Sequence, residues 1–250
     1  MKIFLHLFVL LFFTLPSFAQ EVEAMIKEAE RLEDIPNEMA AYNKLKEALV
    51  VYPNHVYALS KASELCSRIG TREPIAANRD KWYDQALLLA KKAIAISPKN
   101  DHALVSYAMI LGKSSLTKSG KEKLKNAREI KRCVDGALQT NSNNYLAWHI
   151  LGRWNYEISN ISTLERAGAK LFYGGVPEGS LKNAIMYFEK TKTLMPLFIL
   201  NYVELAKAYH KDGQKQKAIS LLKTLQSFPI NTEDDAQHKR DAQKMLKSWQ

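Results

Sequence analysis

Cysteine is nearly absent from this chain of 250 residues, which carries only Cys66 and Cys133. Two thiols cannot build a disulfide framework, and any metal site would have to rest mostly on histidine or carboxylates. Both lie in apolar, helix-like contexts (SELCSRI and IKRCVDGAL) and read as buried free thiols. Ten glycines and eight prolines are too few for a collagen-like or low-complexity chain. The sequence has no G-x-x-x-x-G-K-[ST], H-E-x-x-H, G-x-S-x-G or G-x-G-x-x-G. His6, His55, His102, His149, His210 and His238 never recur at a spacing of three or four, so no metal-binding pair falls on one helix face. No catalytic residue, cofactor or metal is expected, and a non-enzymatic protein is.

Long apolar runs are also lacking, with one exception at the start. Lys2 precedes an apolar stretch from Ile3 to Leu15, followed by Pro16 and the small-x-small pattern Ser17-Phe18-Ala19. The stretch is short of the roughly 20 residues a spanning helix needs. It reads as a secretory signal over residues 1–19, cleaved after Ala19, and predicts an exported protein, periplasmic or secreted. No cysteine follows it to carry a lipid, and residues 20–250 hold no second run of membrane-spanning length.

The formal charge of +10 is unevenly spread. Residues 21–38 hold seven acidic groups against two basic ones, whereas residues 113–132 hold eight Lys or Arg against two Glu. The basic run contains no aromatic residue for base stacking, so nucleic acid is not the expected partner. It predicts one solvated basic stripe, and an anionic lipid or membrane surface is the partner such a stripe would suit.

What the chain has in abundance is a spacing. A small or apolar residue, another four on, a third three on and a helix-stopping residue five further recur through the chain. The copies are Ala41-Leu45-Ala48-Pro53, Ala86-Ala90-Ala93-Pro98, Ile130-Val134-Ala137-Ser142 and Ala184-Phe188-Thr191-Pro196. A fifth, Ala218-Leu222-Leu225-Pro229, ends one residue early. Steps of four and three keep one helix face, and a proline just beyond cannot continue the helix. The starts are 45, 44, 54 and 34 residues apart. Thirty-four is the period of the tetratricopeptide repeat, and the longer spacings imply inserts around TREPIAANRD, GKSSLTKSGK and FYGGVPEGS. Trp148, Leu151 and Gly152 supply the first-helix signature of the fourth repeat. Tyr202, Leu205, Ala206 and Tyr209 supply that of the fifth, with Gly213 at its turn.

The reading is an all-α, tetratricopeptide-like right-handed helical-repeat solenoid. Its five helix-turn-helix repeats fall at approximately 21–53, 54–98, 99–142, 143–196 and 197–230, and residues 231–250 form a C-terminal capping helix opened by Asn231 or Thr232. Ser162 with Glu165 reads as a capping box inside the last insert, and Glu178 to Ser180 as a turn into a helix at Leu181.

Residues 145–250 go beyond the generic repeat. LGRWNYEIS at 151–159, LERAGAKLFYGGVPEGS at 164–180, NYVELAKAYHKDGQKQKA at 201–218 and the closing FPINTEDDAQHKRDAQKML resemble the regulator of microtubule dynamics family of tetratricopeptide proteins. The resemblance implies scaffolding through microtubules or organelle contacts, and in one relative a lipid-holding groove. The signal peptide sets this chain apart from the animal members and resembles exported bacterial ones.

Repeat geometry places positions 2, 5, 9 and 12 of each first helix on the concave face. The residues expected to line it for a partner are His102, Met109, His149, Arg153, Tyr156, Lys207 and His210. Those of the second half, His149, Arg153, Lys207 and His210, are basic or titratable, which suits an anionic peptide end, an acidic segment or an anionic head group. The function expected is a scaffold of the cell envelope that holds a protein or peptide segment in the groove. A lipid or small-ligand carrier is the first alternative. A microtubule regulator is the second, disfavoured by the leader.

Overall fold

A computed structural model describes residues 19–115 and 118–249, so residues 1–18 of the expected leader lie outside the described residues. Every regular element among them is helical. They are α1 (residues 19–34), α2 (Glu38–Val51), α3 (Val56–Arg72), α4 (Ala76–Ile96), α5 (Asp101–Ser114), α6 (Gly120–Thr140), α7 (Tyr145–Asn160), α8 (Thr163–Tyr173), α9 (Leu181–Leu194), α10 (Ile199–Lys211), α11 (Lys215–Thr224) and α12 (Asp235–Trp249).

The recurring spacing has one structural meaning. At four boundaries the residue after the helix turns extended and its N–H bonds back to a small residue four earlier. The pairs are Tyr52 to Ala48, Ser97 to Ala93, Asn141 to Ala137 and Met195 to Thr191, at 2.8–2.9 Å. Three of the four closing residues precede proline, which disfavours the helical conformation for them. The next helix then opens on a side-chain cap in three cases. Asn100 Oδ1 accepts from the Ala103 N–H and Asn144 Oδ1 from the Ala147 N–H, both at 3.0 Å, and His55 Nδ1 accepts from the Ala58 N–H at 3.2 Å. The fifth copy ends early because Leu225–Ser227 tightens into a 3-10 turn.

The helices stack as a tetratricopeptide-like solenoid. First helices α3, α5, α7 and α10 contact one another in succession as an inner layer, and α4, α6, α9 and α11 pack behind them. The small residues of the spacing (Ala41, Ala48, Ala86, Ala90, Ala93, Ala137, Ala184, Ala218) are all fully buried between the layers. Gly152 lets α7 and α9 approach so closely that a Cβ there would lie 2.6 Å from Phe188 Cδ1. Trp148 lies against Tyr187, its ring N–H bonded to the Ser142 carbonyl, while Leu151, Tyr202, Ala206 and Tyr209 are buried. Gly213 takes the left-handed conformation its turn requires, at φ +77°. The two thiols are free and buried, and burial pushes each up to about 12.

The inserts are less loop-like than their turn-rich sequences predict. Most of the extra residues around TREPIAANRD and GKSSLTKSGK lengthen helices, so that α4 and α6 each reach 21 residues. Only the third insert adds an element. There α8 opens on the Ser162–Glu165 capping box and closes on Gly174 at φ +74°, and Ser180 caps α9 by accepting from the Asn183 N–H.

The C-terminal cap departs from expectation in its first turn. Asn231 and Thr232 do not cap α12 with their side chains. Their N–H groups donate instead to the Asp235 carboxylate at 2.9 and 2.8 Å, folding residues 231–235 into a tight acidic turn. Behind it Ala242, Met245, Leu246 and Trp249 pack on the core of the last repeat.

Candidate functional site

The inner layer carries a chain of charges that begins in the first repeat. Glu33 and Glu38, at the end of α1 and the start of α2, face Lys61, Arg68 and Arg72 of α3. Lys61 Nζ lies 2.8 Å from Glu33, Arg68 pairs with Glu33 and Glu38, and Arg72 lies 2.7 Å from Glu38. Burial opposes the Glu33 charge, but Lys61 and Arg68 outweigh it and pull the pKa down to about 2. Burial pushes the Glu64 carboxyl up, against the pull of Lys61 at 3.8 Å.

The same layer reaches the far end of the chain. Arg72 pairs with Glu233 at 3.0 Å and with Asp234 at 3.1 Å, and Glu233 Oε1 accepts the Glu38 N–H at 2.8 Å. The acidic turn before α12 therefore sits at the N-terminus of α2, where the helix dipole and free N–H groups favour a carboxylate. A contact spanning 195 residues in sequence ties the two ends of the stack together. This half of the inner face already holds an anionic segment, and that segment is the chain's own.

The second half differs. Lys113, at the end of α5, and Arg153, on α7, form no ion pair or hydrogen bond among the described residues. Burial and the Arg153 guanidinium together hold the Lys113 ammonium below its ordinary pKa, against the opposing pull of Asp234 and Glu204. Both cations are half-buried. Lys113 belongs to the basic run that predicts one solvated stripe, yet it lies four residues after Met109, and that interval marks it as inner-facing. The expected single stripe is thereby divided. Lys113 faces inward, Lys131 and Arg132 pair with Asp135 and Glu129 at 2.6 Å, and Arg128 donates to backbone carbonyls of the third insert.

The seven residues expected on the concave face fall into three groups. Met109, Arg153 and Tyr156 are half-buried, and Lys211 Nζ stands over the Tyr156 ring, 5.4 Å from its centre. His102 is half-buried with its ring edge-on to Tyr57 at 5.0 Å, and Lys207 is bonded to Glu204 at 3.0 Å. His149 and His210 part ways, because only His149 is closed to a partner. His149 is buried to 4%, with its ring against Phe188 and Phe198. Its Nδ1–H donates to Asn201 Oδ1 at 3.0 Å, because the Asn201 amide nitrogen is committed to the Phe188 carbonyl. That leaves Nε2 as an unpartnered buried acceptor, and burial pushes the ring down to about 4. His210 stacks on Trp249 of α12 at 4.0 Å and remains exposed. Repeat numbering puts both histidines on the inner layer, but it does not show the aromatic residues that close over His149.

Two depressions of about 210 and 320 Å³ lie beside α2, α3 and α4, lined chiefly by Tyr42, Lys46, Leu89, Trp82 and Lys81. No residue of the inner-face set borders either of them.

A helical stack with a charged inner layer defines the class, and solved structures share the fold. A thermophilic TPR protein of Thermus thermophilus superposes with a TM-score of 0.62 at 14% identity, over 91% of this chain and 98% of that one. The pilF protein of Pseudomonas aeruginosa superposes with a TM-score of 0.54 at 16% identity, over 93% and 90%. The chain is a tetratricopeptide-type helical solenoid. The profile of the family described as Regulator of microtubule dynamics protein 1-3 matches residues 25–250, and the chain belongs to that family. Regulator of microtubule dynamics protein 1 of Bos taurus is 25% identical over 236 residues, covering 92% of this chain and 72% of that protein. Regulator of microtubule dynamics protein 2 of Mus musculus is 27% identical over 161 residues, covering 64% of this chain and 39% of the relative. The chain thus spans about two fifths of that longer relative.

Proposed function

We propose that the chain is a non-enzymatic scaffold of the cell envelope that binds an acidic polypeptide segment along its inner face. The observation that carries the reading is the pair Lys113 and Arg153. These are two half-buried cations with no carboxylate in contact, beside a stretch where the same face already holds the carboxylates of Glu233 and Asp234. The two like charges repel each other and neither forms an ion pair, with Asp234 and Glu204 offsetting them only through space, so an incoming carboxylate in direct contact would lower the energy of the face. Met109 and Tyr156 offer apolar contact on the same layer. The export half of the proposal rests on the leader sequence. Among the described residues no helix is long and apolar enough to cross a membrane.

The relatives' name supports a second reading, an action on microtubule dynamics. It requires access to tubulin, which a cleaved leader would deny. The two readings separate in one experiment. Pull-down from envelope extract recovers a partner with the native chain and loses it when Lys113 and Arg153 are both changed to Glu. Unchanged recovery removes the inner-face model, and partners recovered only from cytosol favour the microtubule reading.

A further inference from the structure

The third insert presents an apolar face that the inner-layer reading does not use. Helix α8 exposes Leu164 at 83%, Leu171 at 76% and Phe172 at 71%, while Ala169 is its one buried residue. Leu164, Leu171 and Phe172 stand at intervals of seven and eight, so they share one side of the helix. Gly168 between them has nothing within 4 Å of a Cβ position. Three large apolar side chains clustered on a short helix mark an interaction surface, in contrast to singly scattered ones.

The helix is held in place, so this face is displayed rather than frayed. The Ser162–Glu165 capping box fixes its start. Arg166 donates to the Ile158 carbonyl at 2.5 Å, and Arg128 of α6 donates to the Tyr173 and Gly175 carbonyls at 2.9 and 2.7 Å at its end.

One side of α6, the helix that holds the end of α8, is basic. Arg128 closes a stripe with Lys121 and Lys125 along one side of α6, at intervals of four and three. Neither lysine has an ion pair or hydrogen bond among the described residues. The only acid on α8, Glu165, is turned back to the Ser162 N–H and hydroxyl. An apolar helix face tied through Arg128 to a lysine-bearing helix side is a pattern that can place side chains among acyl chains and ammonium groups among anionic head groups.

We propose that α8, with the adjoining Lys121–Lys125–Arg128 side of α6, is a docking surface for an anionic lipid bilayer. The surface uses no residue of the Lys113–Arg153 site, so membrane docking and polypeptide binding draw on different side chains.

The test is co-sedimentation of the chain from Gln20 onward, which keeps every packed helix and omits the apolar leader that would partition by itself. Vesicles of phosphatidylglycerol with phosphatidylcholine are compared with pure phosphatidylcholine. Binding is expected to the mixed vesicles. L171S/F172S should lower the partition coefficient at least about tenfold on both lipids. K121E/K125E should lower it by roughly thirtyfold or more on the anionic vesicles alone. All four positions are on the surface, so circular dichroism should show unchanged helix content. No sedimentation of the native chain, or equal sedimentation of L171S/F172S, overturns the proposal. A dimer of the native chain that dissociates in L171S/F172S assigns the face to a second copy and overturns it equally. K113E/R153E should sediment like the native chain, which keeps failure of this surface distinct from failure of the inner face.

Discussion

The close approach of α7 to α9 makes the sharpest prediction about the fold. At Gly152 an added methyl would lie 2.6, 2.7 and 3.0 Å from Cδ1, Cε1 and Cγ of Phe188. Carbon atoms settle at about 3.5–4.0 Å, so the ring or the helix must move by roughly 1 Å. Phe188 is completely buried in the last-repeat core. Overpacking of this kind costs about 1–3 kcal/mol, whereas Gly→Ala within a helix contributes about 0.8–1 kcal/mol in its favour. Gly152→Ala should therefore destabilise by up to about 2 kcal/mol net, a fall in Tm of roughly 2–8 °C for a chain of this size. Gly168→Ala supplies the control. With nothing near its Cβ, only the propensity gain remains, and Tm should hold or rise. Thermal melts followed by far-ultraviolet circular dichroism measure both. Phe188→Leu placed in the Gly152→Ala background should recover part of the loss, as contacting sites do. A Gly152→Ala chain as stable as Gly168→Ala would refute the close-packing explanation of the Leu-Gly signature.

Two further outcomes follow from the charges. Arg72→Ala leaves fully buried Glu38 with Arg68 alone and releases Glu233 and Asp234, so it should cost about 2–4 kcal/mol and raise amide exchange at residues 231–238. Protection of that turn unchanged in Arg72→Ala would show that the acidic turn holds itself. His149 should stay neutral, with its proton on Nδ1, as pH falls below the ordinary value of 6.5, and protonate only near about 4. Because the folded value is the depressed one, the stability it carries is complete above 6.5 and is lost as pH falls through 4. Nitrogen chemical shifts of the ring read this directly, and titration near 6.5 would place His149 in water.

Much of the scaffold could be read from residues because it is local. Small residues every four and three positions, then a proline, dictate both the packed face and the bond that closes each helix. Asn100, Asn144 and Ser180 announce the next helix by capping chemistry. The inserts misled because Gly, Pro and Ser punctuate TREPIAANRD and GKSSLTKSGK while the flanking Ala, Lys and Glu still favour helix. Tertiary packing against α3 and α5 extends α4 and α6 through them. The inner face was half legible. Repeat numbering points to Arg153 and Tyr156, and the same rule carried one turn beyond Met109 points to Lys113. The acidic turn on Arg72 carried no local signal, because Arg72 and Glu38 lie 162 and 195 residues from Asp234 and Glu233. His149 looked like a ligand-facing group for the same reason: Phe198 and Asn201 that enclose it belong to the next repeat.

The central claim is that a polypeptide partner lies along the inner layer beside Lys113 and Arg153. Site-specific photo-cross-linking in cells tests it most directly, with a photoreactive amino acid placed at Tyr156 on the inner layer and, in a separate chain, at exposed Leu88 on α4. An inner-face scaffold gives a covalent adduct with an acidic polypeptide from position 156 and none from position 88, and the adduct disappears when Lys113 and Arg153 are changed to Glu. Adducts from position 88 alone, or an adduct at 156 that survives K113E/R153E, would contradict it.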